Sequence, residues 1–197
     1  MKLSEINNNP LAREWEERYS NLPEDKKRKI DELKNMLVTE YQLKVIKRSR
    51  IYPEIGDIFK VNPKDDIFYY GIVINNHITS IYGKDLLVVL IFDNNEKIEE
   101  KLSRKILKKD LLLTPCLVTK DYWTKGYFST VNNYPSTVYI GSYGFYRLGK
   151  GYYVNEYNEK LNNVPDLASI GVYTISGIAY EMNKEMIIRD NESKSKN

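Results

Sequence analysis

Cysteine and histidine are almost absent from this chain of 197 residues, which contains one of each, Cys116 and His77. A zinc site needs several such ligands, so the sequence predicts no zinc site built from Cys and His. A single cysteine cannot form an internal disulfide, and this is typical of proteins in the reducing cytoplasm. We therefore expect a cytoplasmic protein with no metal centre and no cofactor.

Long apolar runs are also missing. The longest one, Leu86 to Phe92, has seven residues, whereas a membrane-spanning helix needs about 20. The first ten residues are polar and rich in asparagine, without the apolar stretch of a signal peptide. The sequence predicts neither a membrane segment nor a targeting signal.

An excess of one charge is lacking as well. Lys and Arg number 30 and Asp and Glu 27, so the formal net charge is only +3. This small surplus does not favour a nucleic-acid-binding protein, although a local basic patch remains compatible with it. Hydrophobic residues make up 42% of the chain, enough for a packed core. We predict a helical segment over 1–50, a mainly β domain over 51–190 and a disordered tail over 191–197.

The N-terminal part has helical periodicity. Pro23 followed by Glu24 and Asp25 is typical of a helix start, because the free N–H groups there favour negative charge. Apolar residues then recur at steps of three and four up to Val45, which predicts one helix reaching the basic residues before Arg50. A shorter helix is expected around residues 11–19.

The middle of the chain reads as strands. The pattern predicts a hairpin with strands at 56–61 and 67–74, and a turn at Asn75–His77. Leu86 to Phe92 has no polar alternation, so we expect a central strand buried on both faces. The charged stretch 93–113 has apolar residues at steps of four, which favours an inserted helix. Further strands are expected at 116–119 and 126–131.

The C-terminal part is harder to assign. Two aromatic runs flank Gly149-Lys150-Gly151, which indicates a hairpin. A helical turn is expected within 164–171 and strands at 172–182 and 185–189. Together these elements predict an α+β fold: a strongly bent antiparallel β-sheet or an SH3-like small barrel, with an N-terminal helix and one inserted helix.

No set of residues points to catalysis. His77 lies in a predicted surface turn, and Cys116 begins an apolar strand where a buried, inert thiol is expected. Turn formation accounts for the aspartates near strand ends, although a carboxylate metal site could be built from them; they are Asp57, Asp65, Asp66, Asp93 and Asp121. We predict that the protein is not an enzyme.

One basic run could bind nucleic acid. It contains Lys101, Arg104, Lys105, Lys108 and Lys109. The other interpretation is a solvated helix face, and acidic residues just upstream dilute its charge. Binding through this run is the alternative function that we carry forward.

Tyrosine is abundant, with 17 residues beside Phe 5 and Trp 2, and eleven of the tyrosines follow position 121. Tyrosine can line the wet edge of a sheet, but it is also enriched in protein interfaces. The sequence predicts a partner-binding surface from tyrosines and one tryptophan in or beside strands: Tyr69, Tyr70, Trp123, Tyr127, Tyr146, Tyr152 and Tyr153.

Several short motifs resemble the immunity protein 26 family of bacterial polymorphic-toxin systems. The first is Pro53-x-x-Gly56-Asp57-Ile58-Phe59-x-Val61, followed by Tyr69-Tyr70-Gly71-Ile72-Val73-Ile74. The hydrophobic strand Leu86 to Phe92 and the later Leu112-x-x-Pro115 and Trp123-x-x-Gly126-Tyr127-Phe128 are also similar. The resemblance covers about residues 50–131.

The resemblance implies a non-enzymatic protein that binds and neutralises a cognate toxin inside a bacterium. It implies no defined binding residues and no oligomeric state. A scaffold-like structural domain of a phage or mobile element remains a third possibility.

The opening strands also resemble the barrel of toxin endoribonucleases from toxin–antitoxin modules. Those enzymes carry an arginine after the second strand, whereas this chain has Asn75-Asn76-His77-Ile78-Thr79-Ser80 there. The missing arginine argues against nuclease activity.

Overall fold

The computed structural model describes residues 9–93 and 98–189. The predicted tail 191–197 lies outside the described residues. The helices are α1 Pro10–Ser20, α2 Glu24–Asn35, α3 Val38–Tyr41, α4 Ile98–Leu102, α5 Asp121–Thr124 and α6 Ile175–Arg189. The strands are β1 Asp57–Lys64, β2 Ile67–Ser80, β3 Gly83–Phe92, β4 Leu111–Thr119, β5 Phe128–Asn133, β6 Tyr143–Arg147, β7 Tyr152–Val154 and β8 Leu167–Ser169.

Two sheets form the body of this α+β fold. The first five strands pair antiparallel in the order β4-β3-β2-β1-β5, and β6 lies between β7 and β8 in a smaller sheet. The five-stranded sheet does not close, because β4 and β5 remain at opposite edges. The predicted α+β class is therefore confirmed, while the SH3-like barrel is wrong.

Strand β3 separates two hydrophobic layers. Leu87, Val89 and Ile91 pack with α6 on one face, and Leu86, Val88, Leu90 and Phe92 pack on the other face against the smaller sheet and the 98–111 segment. All seven side chains are buried, each contributing roughly 1.5–3 kcal/mol. The prediction of a strand buried on both faces is confirmed, although β2, not β3, is the central strand.

The long N-terminal helix predicted from Pro23 to Arg50 is wrong. Helix α2 ends at Asn35, and the chain is extended again from Gln42 after the short α3. Backbone N–H groups of this extended segment donate to the body of the fold: Lys44 to Asn62, Ile46 to Gly126 and Ser49 to Trp123. These tertiary hydrogen bonds outweigh a local helical pattern.

The C-terminal strands predicted at 172–182 and 185–189 are also wrong, because both ranges contribute to α6. Ile178, Ala179 and Met182 are buried at helical spacing against the sheet. The Thr174 hydroxyl accepts a hydrogen bond from the Gly177 N–H at 3.0 Å, which satisfies a free donor at the helix start. The helical turn predicted within 164–171 is instead strand β8, parallel to β6.

Helix α1, predicted around residues 11–19, is confirmed and contains no buried residue. Polar contacts attach it to α6. The Arg18 guanidinium donates to both carboxylate oxygens of Glu185, at 2.6 and 2.8 Å, and the Lys184 ammonium lies 4.4 Å from the centre of the Trp15 ring. A cavity of about 250 Å³ lies beneath α1, between α6, β4 and β8.

The predicted inserted helix is present but short. After α4, the Ile106 N–H donates to the Tyr139 carbonyl, and a single 3₁₀ turn, Lys108–Asp110, leads into β4. The Asp110 carboxylate accepts two hydrogen bonds from Arg104, each 2.8 Å, and one from the Leu107 N–H at 2.9 Å. This arrangement fixes the end of the insertion.

Glycine at position 71 permits close packing in the central strand. A Cβ atom there would lie 2.3 Å from the Phe59 ring and 2.5 Å from the Leu90 carbonyl oxygen. We expect Gly71→Ala to lower the free energy of unfolding by about 1–3 kcal/mol through overpacking. Urea denaturation should show this loss, whereas Val131→Ala on the exposed part of β5 should change stability by less than about 0.5 kcal/mol.

Asp110 should make folding stability depend on acid pH. The hydrogen bond from Arg104 is the largest influence on the pKa of Asp110 and lowers it to about 2 from the usual 3.8. A lowered pKa stabilises the fold above about pH 4, and that stabilisation is lost as pH falls towards 2. Asp110→Asn should have a lower melting temperature than the wild type at pH 7. This difference in melting temperature, the deficit of the variant, should shrink between pH 4 and 2.

Thermal unfolding followed by circular dichroism at several pH values measures this deficit. Asp66→Asn, in the exposed turn between β1 and β2, serves as the control for replacing an aspartate by asparagine. A deficit for Asp110→Asn that stays constant down to pH 2 would show that the Arg104 contact does not act through charge.

Candidate functional site

His77 is exposed, as predicted, but it lies within β2 rather than in a turn. Its backbone has a positive φ of 51°. Its ring stacks on Tyr52 at 4.2 Å between ring centres, and its Nδ1 lies 3.6 Å from the Asp85 carboxylate. The Tyr52 hydroxyl accepts from the His77 N–H and donates to the Asp85 carbonyl oxygen. The hydroxyl next to this histidine is thus engaged by the backbone.

Cys116 is buried in β4, and its thiol donates to the Thr114 carbonyl oxygen. Burial raises the pKa of this thiol far above its usual range. The thiolate, which is the nucleophilic form, is therefore strongly disfavoured.

The aspartates near strand ends are used individually. Asp57 accepts from the Glu54 N–H, Asp65 pairs with Lys44, and Asp93 pairs with Lys101 and Arg189. Within the described ranges 9–93 and 98–189, no three His, Cys, Asp or Glu side chains form a group that could hold a metal ion. Nor is any helix in those ranges long and apolar enough to span a membrane.

Most cations of the basic run contact carboxylates. Lys101 is buried and lies 2.9 Å from Asp93, and Arg104 forms the double contact with Asp110. Lys105 and Lys108 approach Asp166 and Glu14, while Lys109 is exposed. Among the described residues, these contacts offset the charge of four of the five cations, which does not favour phosphate binding by this run.

The seven aromatic residues predicted as a partner-binding surface do not form one surface. Trp123, Tyr146 and Tyr153 are buried. Trp123 packs on Phe59 and Phe128, and its indole N–H donates to the Thr130 hydroxyl. The other four, Tyr69, Tyr70, Tyr127 and Tyr152, are partly exposed.

The partly exposed tyrosines are not gathered on one surface, although Tyr69 and Tyr127 both pack against the core cluster that contains Phe128. Tyr69 and Tyr70 occupy the beginning of β2, opposite Val61 and Lys60. The end of β2 is ten residues further along, at Ser80, which corresponds to roughly 30 Å of strand. Tyr152 lies near that far end, through the contacts described next, and Tyr127 is bound to Gln42.

One exposed aromatic and aliphatic surface forms where two hairpins meet. The turn between β2 and β3 presents Ile81 and Tyr82, which are 61% and 37% exposed. The guanidinium of Arg147, at the end of β6, lies 5.6 Å from the Tyr82 ring centre. Leu148, which follows it, is 53% exposed.

The same surface continues onto β7. Arg147 is directly opposite Tyr152 across the β6–β7 pair, and the Lys160 ammonium lies 5.2 Å from the Tyr152 ring centre. Rings and cations therefore alternate across it. We call this set the hairpin-tip surface: Ile81, Tyr82, Arg147, Leu148, Tyr152 and Lys160.

A polar network holds the loop behind this surface in place. The Glu156 carboxylate accepts from the Tyr143 hydroxyl at 2.7 Å and from the Asn75 side chain at 2.8 Å. Burial raises the pKa of Tyr143, so the phenol stays protonated and donates to Glu156. Arg147 also donates to the Asn158 side chain. These bonds connect the loop after β7 to β2 and to β6.

Of the six residues of the hairpin-tip surface, only Tyr152 belongs to the predicted set. The hairpin signal at Gly149-Lys150-Gly151 is confirmed as the turn between β6 and β7, so Arg147 and Leu148 could have been found beside it. Ile81 and Tyr82 could also have been found, because they precede Gly83 in a turn between apolar strands. Their proximity to Arg147 depends on how the two sheets pack, which no local pattern records.

Comparison with known proteins gives a family match that covers the segment containing four of the six hairpin-tip residues. The model of the family described as immunity protein 26 matches residues 54–151, from the start of β1 to the turn after β6. This range extends beyond the 50–131 region of the sequence resemblance and includes Ile81, Tyr82, Arg147 and Leu148. No curated protein and no solved structure matches the chain. The resemblance found in the sequence is thus confirmed over a segment: across residues 54–151, this chain matches the immunity protein 26 family.

Proposed function

We propose that this protein binds a cognate bacterial toxin and neutralises it by protein–protein contact, without catalysing a reaction. The observation that carries the proposal is the match of residues 54–151 to the immunity protein 26 family. The protein needs no cofactor for this role. We place the complex in the bacterial cytoplasm, in keeping with a single buried cysteine that forms no disulfide.

The hairpin-tip surface is the contact region that we propose. Residues that dominate binding energy are commonly Trp, Tyr and Arg, surrounded by side chains that exclude water. Tyr82, Arg147 and Tyr152 supply the first kind of residue, and Ile81 and Leu148 supply exposed apolar area beside them.

Rigidity supports the choice of this region. Contacts hold the exposed rings before any partner arrives, since Arg147 covers Tyr82 and Lys160 covers Tyr152. The bonds of Glu156 and Asn158 hold the loop that follows. A surface that is already ordered loses less conformational entropy on binding, so more of its contact energy contributes to affinity.

Co-expression with the protein encoded beside this one tests the function. We expect that neighbour to stop growth when expressed alone, growth to recover when this chain is co-expressed, and the two proteins to purify as a stable complex. A neighbour that is harmless, or that stays toxic and uncaptured despite abundant folded chain, would contradict the proposal.

Alanine substitutions test the contact region. Tyr82→Ala should raise the dissociation constant of the toxin complex by roughly 30-fold, the effect of losing about 2 kcal/mol at a central interface residue. Leu148→Ala should weaken the complex in the same direction. Titration calorimetry measures both effects on proteins whose melting temperatures match the wild type.

The matched control is Tyr139→Ala. Tyr139 is an exposed tyrosine near Lys105, outside the hairpin-tip surface. It should leave the affinity unchanged. Equal affinities for the wild type, Tyr82→Ala and Leu148→Ala would move the toxin contact to another part of the protein.

A further inference from the structure

The cations of the hairpin-tip surface lie on aromatic rings instead of carboxylates. Arg147 covers Tyr82 and Lys160 covers Tyr152. Lys84 and Lys150 flank them in the two turns, and Lys150 is exposed. Among the described residues, no carboxylate lies within the 4.0 Å ion-pair distance of any of these four cations.

Nearby carboxylates are engaged inside the loop after β7. Glu156 accepts from Tyr143 and Asn75, and Glu159 accepts from the Asn155 side chain at 2.8 Å. The basic run beyond α4 differs, because four of its five cations contact Asp93, Asp110, Asp166 or Glu14. The hairpin-tip cations are thus available to anionic groups of a partner.

Arg147 has unused donor capacity. A guanidinium carries five N–H donors in a planar fork that fits a carboxylate through two parallel hydrogen bonds. Within the described part of the chain, the side-chain oxygen of Asn158 takes one of these donors. The central carbon of the guanidinium lies 5.6 Å from the Tyr82 ring centre. The arrangement is suited to an incoming Asp or Glu.

The ring–cation contacts also distinguish two kinds of anionic partner. Single-stranded nucleic acid binds by stacking bases on open aromatic faces. Here Arg147 and Lys160 already cover one face each of Tyr82 and Tyr152, and the partly buried Tyr152 also packs against the core that contains Phe145 and Val154. Carboxylates need the cations and not the ring faces, so an acidic protein surface is favoured.

We propose that the hairpin-tip surface receives an acidic, carboxylate-rich face of its protein partner, with Arg147 binding one carboxylate through its fork and Lys150 and Lys160 binding others. The inference rests on the proposed function in taking that partner to be the toxin. It goes further in naming the chemistry of the toxin's contact face.

Poly-L-glutamate is the first probe, because it does not require the toxin. Titration into the ¹⁵N-labelled protein should shift amide signals in 81–84 and 147–160 more than signals in 101–109. Lys150→Glu combined with Lys160→Glu should abolish these shifts, while Lys29→Glu, on the exposed face of α2, should leave them intact. Shifts centred on 101–109, or no shifts at all, would overturn the proposal.

Oligothymidylate of matched charge is the contrasting probe. We expect it to bind the hairpin-tip surface more weakly than poly-L-glutamate. Tighter binding, with shifted ring signals of Tyr82 and Tyr152, would mean that the surface recognises single-stranded nucleic acid and would overturn the proposal.

The toxin complex gives the second arm. The double charge reversal should raise the dissociation constant at least tenfold at low salt and flatten its dependence on salt, because screened attraction then contributes less. A captured toxin whose binding is unaffected would overturn this inference and leave the immunity function standing. Binding of poly-L-glutamate at this surface without any captured toxin would support the surface chemistry and count against the immunity function.

Discussion

The burial of β3 on both faces is the constraint on which the rest of the structure depends. Seven consecutive apolar side chains cannot face water on either side, so the five-stranded sheet must be covered twice. Helix α6 covers one face, and the smaller sheet with the 98–111 segment covers the other. The need to cover this strand on both faces therefore sets the order of the layers. It also brings together chain segments that are distant in sequence.

The second covering layer also creates the proposed contact surface. Phe145 and Val154 must turn inward to pack on Ile78, Leu86 and Val88, which fixes the smaller sheet over the β2–β3 hairpin. Arg147 and Tyr152 are each two residues from Phe145 and Val154 along their strands, so they point to the same side at the edge of this core, against which Tyr152 still packs. There Arg147 meets Tyr82. The side chains of the proposed contact surface are thus positioned by the packing of their neighbours in the same strands.

The limits of the sequence patterns have physical causes. Strand β3 was predictable because a short continuous apolar run can hardly be anything other than an element buried on all sides. The segment after Tyr41 was not, because its helical spacing was outweighed by hydrogen bonds to Asn62, Gly126 and Trp123. Helix α6 was missed because loose alternation near Val172 resembled a strand, although Thr174 offered a capping signal.

Tyrosine was the least informative residue for locating the site. The ring of tyrosine can be buried in a core and its hydroxyl can face water, so the sequence does not distinguish Tyr146 and Tyr153 from Tyr152. In the structure Tyr146 and Tyr153 are buried and pack on each other, with 5.1 Å between their ring centres. Alternation along β7 separates neighbours onto opposite faces, but it does not say which face another layer covers. Which face is covered depends on how the smaller sheet packs over β3.

Charge patterns mislead for a related reason. The basic run from Lys101 to Lys109 looks like a binding site in sequence, but folding brings Asp93, Asp166 and Glu14 to it from other parts of the chain. The hairpin-tip cations are scattered in sequence and look unremarkable, yet folding gathers them on tyrosine rings with no carboxylate in ion-pair distance among the described residues. With a net charge of only +3, the position of the unpaired cations is more informative than their number. For this reason the proposed contact surface is the one whose cations have no counter-ion among the described residues.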